Sequence, residues 1–200
     1  MDNVRQSASF DLYTVASFFD AKTCGEIISE LRRSPDSSAT VYGRGDSGAV
    51  DERVRKAARV MPSSETVELV TRRLRDCRDE VGAHFGIMLS LCEEPQFLRY
   101  RVGDFFVAHQ DGNTGMLLSE REQSRKISSI IFLNDQSETP EGEAYCGGSL
   151  VFSDWRAKPG PKELRLPGEA GTLVTFRSET THEVLPVTHG ERYSIVSWFG

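Results

Sequence analysis

The C-terminal half of the chain is a succession of short apolar runs, and this pattern limits the folds open to it. From residue 87 onward, β-branched and aromatic residues are grouped into runs separated by Gly, Pro, Asn and Asp. The runs are IMLSL, QFLRYRV, FFVAH, ISSIIFL, GSLVF, TLVTF, HEVLPV and RYSIVSWF. Many short strands with frequent turns are typical of a β-sandwich or a β-barrel, so we predict one of these for residues 87–200.

The N-terminal part, residues 1–86, is predicted to be mainly helical and to pack outside the β core. Asp20 can cap a first helix, and a longer helix is predicted from Ser63 to Gly86. The apolar positions at helical spacing are Cys24, Ile27, Ile28 and Leu31 in the first helix and Val67, Val70, Leu74, Cys77, Val81 and Phe85 in the second. The segment VRKAARV before the second helix is predicted to be a strand.

Length and composition indicate one globular domain over residues 1–200. The helical part is too small to hold a sizeable core of its own. The composition, 38% hydrophobic and 27% charged residues, is that of a soluble protein, and no apolar run approaches the roughly 20 residues of a membrane helix. The first residues carry acids and hydroxyls where a signal peptide needs an apolar core, so we expect a cytoplasmic protein without a membrane partner.

Charge and cysteine spacing exclude two further classes of function. The net charge of −6 lacks the basic surface that binds phosphate backbones, which argues against nucleic acid as a partner. The four cysteines show no CxxC spacing, so we expect buried free thiols and not a zinc site or a disulfide framework.

The sequence YRVGDFFVAHQDGN, residues 100–113, places a His and an Asp two positions apart at the end of an apolar run. Residues i and i+2 of a strand project from the same face, so His109 and Asp111 would point together. An imidazole nitrogen and a carboxylate oxygen suit Fe(II) and similar divalent ions. Taken alone, the triplet is explained better as a satisfied polar pair at a strand end, so its context has to decide.

The segment THEVLPVTHGERYSIVSWF adds the context, because it supplies His182 and, ten positions later, Arg192. A second His would complete a facial triad of two imidazoles and one carboxylate, which leaves metal positions open. Arg192 begins an alternating strand on whose inner face Ser194, Val196 and Trp198 would also lie. A buried Arg requires an anion, either the carboxylate of a cosubstrate or, in a purely structural role, Glu183 or Glu191.

The other two histidines have structural explanations. His84 falls near the end of the long helix, where packing at a helix end is expected. His189 lies in THG, which is typical of a turn between two strands, so His182 is the better candidate for a metal ligand.

Taken together, the ordered motifs RYRVGDFFVAHQD, KISSIIFLND, GGSLVF and HEVLPVTHGERYSIVSWF resemble the 2-oxoglutarate and Fe(II)-dependent dioxygenases of the prolyl 4-hydroxylase type. The resemblance covers residues 97–200, and the N-terminal half only in outline. It implies a double-stranded β-helix, or jelly-roll, core with N-terminal helices packed outside.

By this resemblance His109, Asp111 and His182 match the iron ligands, and Arg192 matches the residue that pairs with the distal carboxylate of 2-oxoglutarate. Tyr100 stands where the family places a tyrosine that also contacts the cosubstrate. The implied cofactors are Fe(II), 2-oxoglutarate and dioxygen, with ascorbate as a candidate reductant. The implied reaction is hydroxylation of a C–H bond with release of succinate and CO2.

Two positions depart from the family pattern. Arg192 stands where collagen-type members carry Lys, which keeps the charge but gives a forked donor. Phe132 falls where hypoxia-sensing members have a Tyr that contacts 2-oxoglutarate, so another donor has to replace that hydroxyl. Thr175 and Ser194 are the candidates.

The substrate stays open at this point. A peptidyl proline or another peptide-like substrate is the leading hypothesis, and a small-molecule or free amino acid oxygenase is the main alternative. A non-catalytic metal-binding barrel is a third possibility, which Arg192 argues against. Residues 34–50, with a short extended piece at Val41 and Tyr42, and residues 112–126 are predicted to be loops that could act as lids.

Overall fold

The computed structural model describes residues 10–39, 51–112, 120–158, 160 and 162–200. The extended piece expected at Val41 and Tyr42 lies outside these residues, as do residues 113–119 of the second expected lid. Of the first loop, residues 36–38 form a short strand instead.

The two predicted helices are confirmed, and so is the predicted cap of the first helix. Helix α1 spans Ala21–Leu31, and the Asp20 carboxylate accepts a hydrogen bond of 2.7 Å from the Thr23 amide. Helix α2 spans Ser64–Phe85 and ends at Gly86, whose φ of 67° is the left-handed conformation that favours glycine. A short helix, α3, spans Glu120–Ser124.

Two antiparallel sheets form the β core, as the prediction of a double-stranded β-helix requires. The large sheet has the strand order β1 (Leu12–Val15), β11 (Leu173–Arg177), β7 (Ile127–Phe132), β14 (Arg192–Phe199), β5 (Gln96–Tyr100), β4 (Ala58–Val60) and β2 (Asp36–Ser38). The small sheet has the order β10 (Lys162–Leu166), β9 (Leu150–Asp154), β12 (Thr181–Val184), β6 (Phe105–His109) and β3 (Arg55–Lys56). A two-stranded ribbon joins β8 (Cys146–Gly147) to β13 (Val187–His189).

Helices and sheets stack as layers with two apolar interfaces. The outer face of the large sheet, including Ile131 and Ile195, packs against the apolar faces of α1 and α2. Its inner face packs against the small sheet, with Phe132 and Phe176 opposite Phe152. The alternation predicted for β14 therefore holds, because Arg192 lies on the inner face and Tyr193 on the helix side.

Several boundaries differ from the sequence prediction. The run IMLSL is not a strand: the amides of Ser90 and Leu91 both bond to the carbonyl of Gly200, and Cys92 makes a single bridge to Phe199. Pro186 lacks an amide hydrogen, and HEVLPV is accordingly split between β12 and β13. The four cysteines are free as expected, but only Cys24 and Cys146 are fully buried.

The N-terminal part contributes strands as well as helices. Strands β1, β2 and β4 belong to the large sheet and β3 to the small one, so both sheets are built from both halves of the sequence. This pairing supports the proposal that residues 1–200 form one domain. None of the helices in the described ranges has the length and apolar character needed to cross a membrane.

We expect one cooperative unfolding transition for helices and sheets. Leu74 of α2 is fully buried against the large sheet, so Leu74→Ala should lower the free energy of unfolding by about 2–5 kcal/mol. Far-UV circular dichroism and the fluorescence of the buried Trp198, measured in a Trp155→Phe background because Trp155 is exposed, should shift together on denaturant titration. Helix signal lost before the tryptophan signal would contradict the single domain.

Candidate active site

Two neighbouring strands of the small sheet bring three metal-ligand side chains together. Strands β6 and β12 are antiparallel, and His109 lies directly opposite His182. Strand β6 ends at His109, yet Asp111 stays beside the pair because its amide donates to the carbonyl of Ser178 at 2.9 Å. The ligand atoms of the three residues lie within 4.8 Å of one another.

Backbone contacts fix which nitrogen of each imidazole is free. Nδ1 of His109 lies 2.8 Å from the carbonyl oxygen of Val107, and Nδ1 of His182 lies 2.9 Å from that of Thr180. A carbonyl oxygen can only accept, so both Nδ1 atoms carry the proton. Nε2 is therefore the atom of each ring that can present a lone pair when the ring is neutral, and each Nε2 lies 3.5 Å from a carboxylate oxygen of Asp111.

The protonation states of His182 and Asp111 suit metal binding. Burial lowers the pKa of His182 to about 4, so this imidazole is neutral near pH 7. Burial alone would raise the pKa of Asp111, but the two imidazoles and the Ser128 hydroxyl, which donates at 2.7 Å, hold it below its usual range. A neutral imidazole and an ionised carboxylate are the forms that coordinate a cation.

The opposite wall of the core carries Arg192 and Tyr100, which are partners in the register of β14 and β5. Arg192 is 1% exposed, and its guanidinium carbon lies 5.1 Å from the ring centre of Tyr100 and 5.4 Å from that of Phe132. Its Nη1 donates to the Ser194 hydroxyl at 2.8 Å, and its Nε has no partner among the described residues.

The structural salt bridge considered for Arg192 is not formed. The Glu191 carboxylate faces the other side of the strand, where it accepts from the Tyr193 hydroxyl at 2.7 Å and lies near Arg101. Within the described part of the chain, no carboxylate lies in ion-pair range of Arg192. Arg192 is thus a buried cation without an acid partner among the described residues, an arrangement that costs free energy unless an anion offsets it.

A cavity of about 150 Å³ joins the triad to Arg192. Its wall includes the three ligand residues from the small sheet and, from the large sheet, Leu98, Tyr100, Arg192, Ser194, Val196 and Trp198. All five residues singled out from the sequence are therefore in one cavity. Of the two candidates to replace the hydroxyl missing at Phe132, Ser194 lines the cavity, whereas Thr175 donates to the carbonyl of Tyr13.

The remaining histidines take the structural roles expected of them. Nε2 of His84 lies 3.0 Å from a carboxylate oxygen of Asp11, at the end of α2. His189 is exposed and ends β13, just before the turn at Gly190, whose φ is 71°.

Sequence reasoning missed a buried ion pair that supports the triad. Nε and Nη2 of Arg125 donate to the two carboxylate oxygens of Glu93 at 2.6 and 3.0 Å, and both side chains are almost fully buried. The guanidinium carbon lies 3.7 Å from the ring centre of Trp198. Nη1 of Arg125 also donates to the carbonyl of Asp111 at 3.4 Å, so the pair touches the turn that carries this ligand.

The stacking of the first histidine was also missed. The ring of Phe106 lies parallel to that of His109, with 3.5 Å between ring centres. Residues three apart in a strand are not expected on one face, and the irregular pairing of β6 with β12 between His182 and Val184 accompanies this contact.

Comparison with known proteins points to the same class of enzyme as the geometry of the site. The sequence model of the 2OG-Fe(II) oxygenase superfamily matches residues 95–200, more than half of the chain, and the chain belongs to this family. Membership implies Fe(II), 2-oxoglutarate and dioxygen as the reagents of its chemistry. Within the family, the chain is a dioxygenase of the prolyl 4-hydroxylase type.

Similar proteins of this type align with most of the chain. A PKHD-type hydroxylase of Janthinobacterium sp. (strain Marseille) is 28% identical over 184 residues, 88% of this chain and 74% of the relative. A prolyl-4-hydroxylase of Pseudomonas putida is 25% identical, with a TM-score of 0.69 over 96% of this chain and 93% of its own. A Trichoplax adhaerens prolyl hydroxylase, solved with a peptide fragment of the hypoxia inducible factor oxygen degradation domain, shares the fold at 18% identity and a TM-score of 0.70, over 98% of this chain and 86% of its own.

We expect the Glu93–Arg125 pair to stabilise the fold and the triad together. Glu93→Ala leaves the Arg125 charge buried without its carboxylate, which should lower the free energy of unfolding by about 3–5 kcal/mol. The exposed pair of Arg165 with Glu163 gives a matched control, since Glu163→Ala should change stability by less than about 1 kcal/mol. Urea denaturation measures both variants. Equal losses of stability in the two variants would mean that the buried pair stabilises the protein no more than the exposed pair does.

Proposed function

We propose that His109, Asp111 and His182 bind Fe(II), and that Arg192 and Tyr100 bind 2-oxoglutarate in the same cavity. The observation that carries this proposal is the pairing of a preformed triad with a buried Arg that has no acid partner among the described residues. The donor set is two imidazole nitrogens and one carboxylate oxygen, which suits Fe(II) and leaves coordination positions open on one side. Arg192 and the triad are joined by the cavity, as a cosubstrate that contacts both would require.

The chain's own residues bind the ion and the cosubstrate, orient the ligand atoms and enclose the cavity. The carbonyls of Val107 and Thr180 hold the imidazoles with Nε2 toward the ion, and the Ser128 hydroxyl orients the Asp111 carboxylate. The guanidinium of Arg192 pairs with the distal carboxylate of the cosubstrate, and apolar neighbours such as Val196 limit the access of water. Bound Fe(II), with 2-oxoglutarate and dioxygen, supplies the oxidation of a C–H bond to an alcohol, with release of succinate and CO2.

We further propose a peptide-like substrate, with peptidyl proline as the leading candidate. The likeness to the prolyl-4-hydroxylase of Pseudomonas putida over nearly the whole chain supports this substrate class. The peptide complex of the Trichoplax adhaerens enzyme shows that this fold accommodates a peptide. Ascorbate as a reductant stays a prediction.

The reaction is tested by succinate formation from 2-oxoglutarate with Fe(II) under air. His109→Ala or Asp111→Ala should abolish turnover and metal binding with little change in unfolding, because the barrel packs without the ion. His189→Ala is the matched control, since this exposed histidine lies outside the triad and should leave turnover unchanged. A wild-type protein that neither binds nor converts 2-oxoglutarate would refute the proposal.

The role of Arg192 is tested by comparing the affinities for 2-oxoglutarate and for Fe(II). Arg192→Ala removes the partner of the distal carboxylate, so the KM for 2-oxoglutarate should rise by roughly 100-fold or more, in line with the loss of a charged hydrogen-bonded partner. The affinity for Fe(II) should change far less, because Arg192 lies on the opposite sheet from the triad. An unchanged KM would exclude Arg192 as the anchor.

The substrate class is tested with the same assay. Proline-containing peptide libraries are compared with free amino acids and metabolite pools for substrate-dependent succinate release, and products are examined for a mass gain of one oxygen atom. Stimulation by peptides supports the proposed class. Stimulation by small molecules alone would assign the alternative.

A further inference from the structure

One buried amide in the cavity wall has no role in the site as described so far. Gln96 is 7% exposed, and its side chain lines the cavity. Within the described ranges of the chain, its carboxamide makes no hydrogen bond. Buried polar groups almost always have a partner, and leaving one unpaired costs free energy. A buried carboxamide in the wall of an open cavity therefore indicates a ligand that has hydrogen-bonding groups of its own.

Other polar side chains of the same wall are already engaged. The Ser129 hydroxyl donates to the carbonyl of Ser197 at 2.8 Å, and Nε2 of Gln110 donates to the carbonyl of Glu179 at 2.6 Å. The buried guanidinium in the wall belongs to the ion pair described above. Gln96 differs from these groups, because both its donor and its acceptor are unused by the described residues.

Strand register places Gln96 near the level of the triad and far from the proposed carboxylate anchor. On β14, the residue paired with Gln96 lies four positions beyond Arg192 and two before Trp198. Four positions correspond to roughly 13 Å along a strand. The triad lies near the level of Trp198, because Ser128, its partner in register, donates to the Asp111 carboxylate.

Gln96 also faces the side on which the cavity opens. Leu98, the next residue on the inner face of β5, packs in one cluster with Phe106 of β6. Beyond Phe106, this strand continues with Val107 and Ala108, which line the cavity and are exposed to solvent. A substrate that enters along β6 would therefore pass Gln96 on its way to the triad.

We propose that Gln96 is a specificity-determining residue that binds the backbone of a peptide substrate. Its Nε2 donates to a substrate carbonyl oxygen, and its Oε1 accepts from a substrate N–H. The N–H and C=O of one residue in an extended chain point to the same side, so one residue can make both bonds. Proline has no N–H, so a residue next to a reacting proline supplies it. This inference rests on the proposed hydroxylation of a peptide-like substrate.

The proposal explains a preference for peptides over other substrates. A substrate without amide groups would leave the donor and the acceptor of Gln96 buried and unpaired, which costs free energy in the complex. A peptide satisfies both groups with its main chain alone. Gln96 thus selects for the class of substrate and leaves the choice among peptide sequences to other residues.

The test is Gln96→Met, which keeps the length of the side chain and removes both hydrogen-bonding groups. With the most active proline-containing peptide of the library, the KM for the peptide should rise by roughly 10- to 100-fold. The Kd of the Mn(II)-loaded protein for 2-oxoglutarate, measured by calorimetry, should be unchanged. The thermal midpoint without ligands should be unchanged or higher, since no described residue pairs with the amide that is removed.

Gln136→Met is the matched control. Gln136 does not line this cavity, and both ends of its carboxamide are engaged: Nε2 donates to the Ser149 hydroxyl at 2.7 Å, and Oε1 accepts from the Gly168 amide at 3.3 Å. This variant should lower the thermal midpoint and leave the KM for the peptide unchanged. Both results are the opposite of those expected for Gln96→Met.

Ester analogues of the peptide test the hydrogen bonds directly. Replacing a peptide group by an ester removes its N–H and weakens its carbonyl as an acceptor. With esters placed in turn on either side of the reacting residue, the KM of the wild type should rise by roughly 10-fold at one position. Gln96→Met should not distinguish that ester from the peptide. An equal penalty for the ester in both proteins would overturn the proposal.

The outcomes separate this inference from the proposed function. If the wild type neither binds nor converts 2-oxoglutarate, the proposed function is refuted and this inference with it. If it converts 2-oxoglutarate but only small molecules stimulate turnover, the roles of the triad and Arg192 stand and the role of Gln96 is refuted. A Gln96→Met variant with a raised Kd for 2-oxoglutarate and an unchanged KM for the peptide would assign Gln96 to the cosubstrate and would also overturn the proposal.

Discussion

The site depends on one electrostatic constraint, the burial of the Arg192 cation between two sheets without a carboxylate from the described residues. Such a charge costs several kcal/mol unless an anion reaches it. The aromatic rings of Tyr100 and Phe132 and the Ser194 hydroxyl offset only a part of this cost. This is the physical ground for the proposal that an anionic ligand binds Arg192, and the cavity that Arg192 shares with the triad would let one ligand reach both.

The two sheets carry different parts of the proposed site. The small sheet places His109 opposite His182, and hydrogen bonds to backbone carbonyls set the tautomer of both rings. The large sheet carries Arg192 on a central strand that is paired on both sides. Because each group is held by its own sheet, a change in one sheet would alter either the proposed binding of the ion or that of the cosubstrate, and not both. Glu93 and Arg125 are an exception, since their ion pair touches Trp198 on the large sheet and the backbone of Asp111.

The sequence could indicate which residues lie together around the cavity because they follow short-range periodicity. His109 and Asp111 are two apart after an apolar run, and Arg192 starts a strand with strict alternation, so each could be assigned to a face. Strand β10 was missed because KELRL alternates between charged and apolar residues at the edge of the small sheet. The partnership of Glu93 with Arg125 joins residues 32 apart in the chain, and no local pattern indicates such a pair.

Tyr145 shows why a buried polar residue beside Arg192 can escape a reading of the sequence. It stands in EAYCGG, a glycine-rich turn without a periodic pattern, and its neighbours Gly148 and Gly168 matter for the space that they leave free. Among the buried side-chain atoms without a hydrogen-bond partner in the described residues, those of Arg192 and Trp198 belong to side chains that line this cavity. A core selected for stability alone would pair or remove such atoms.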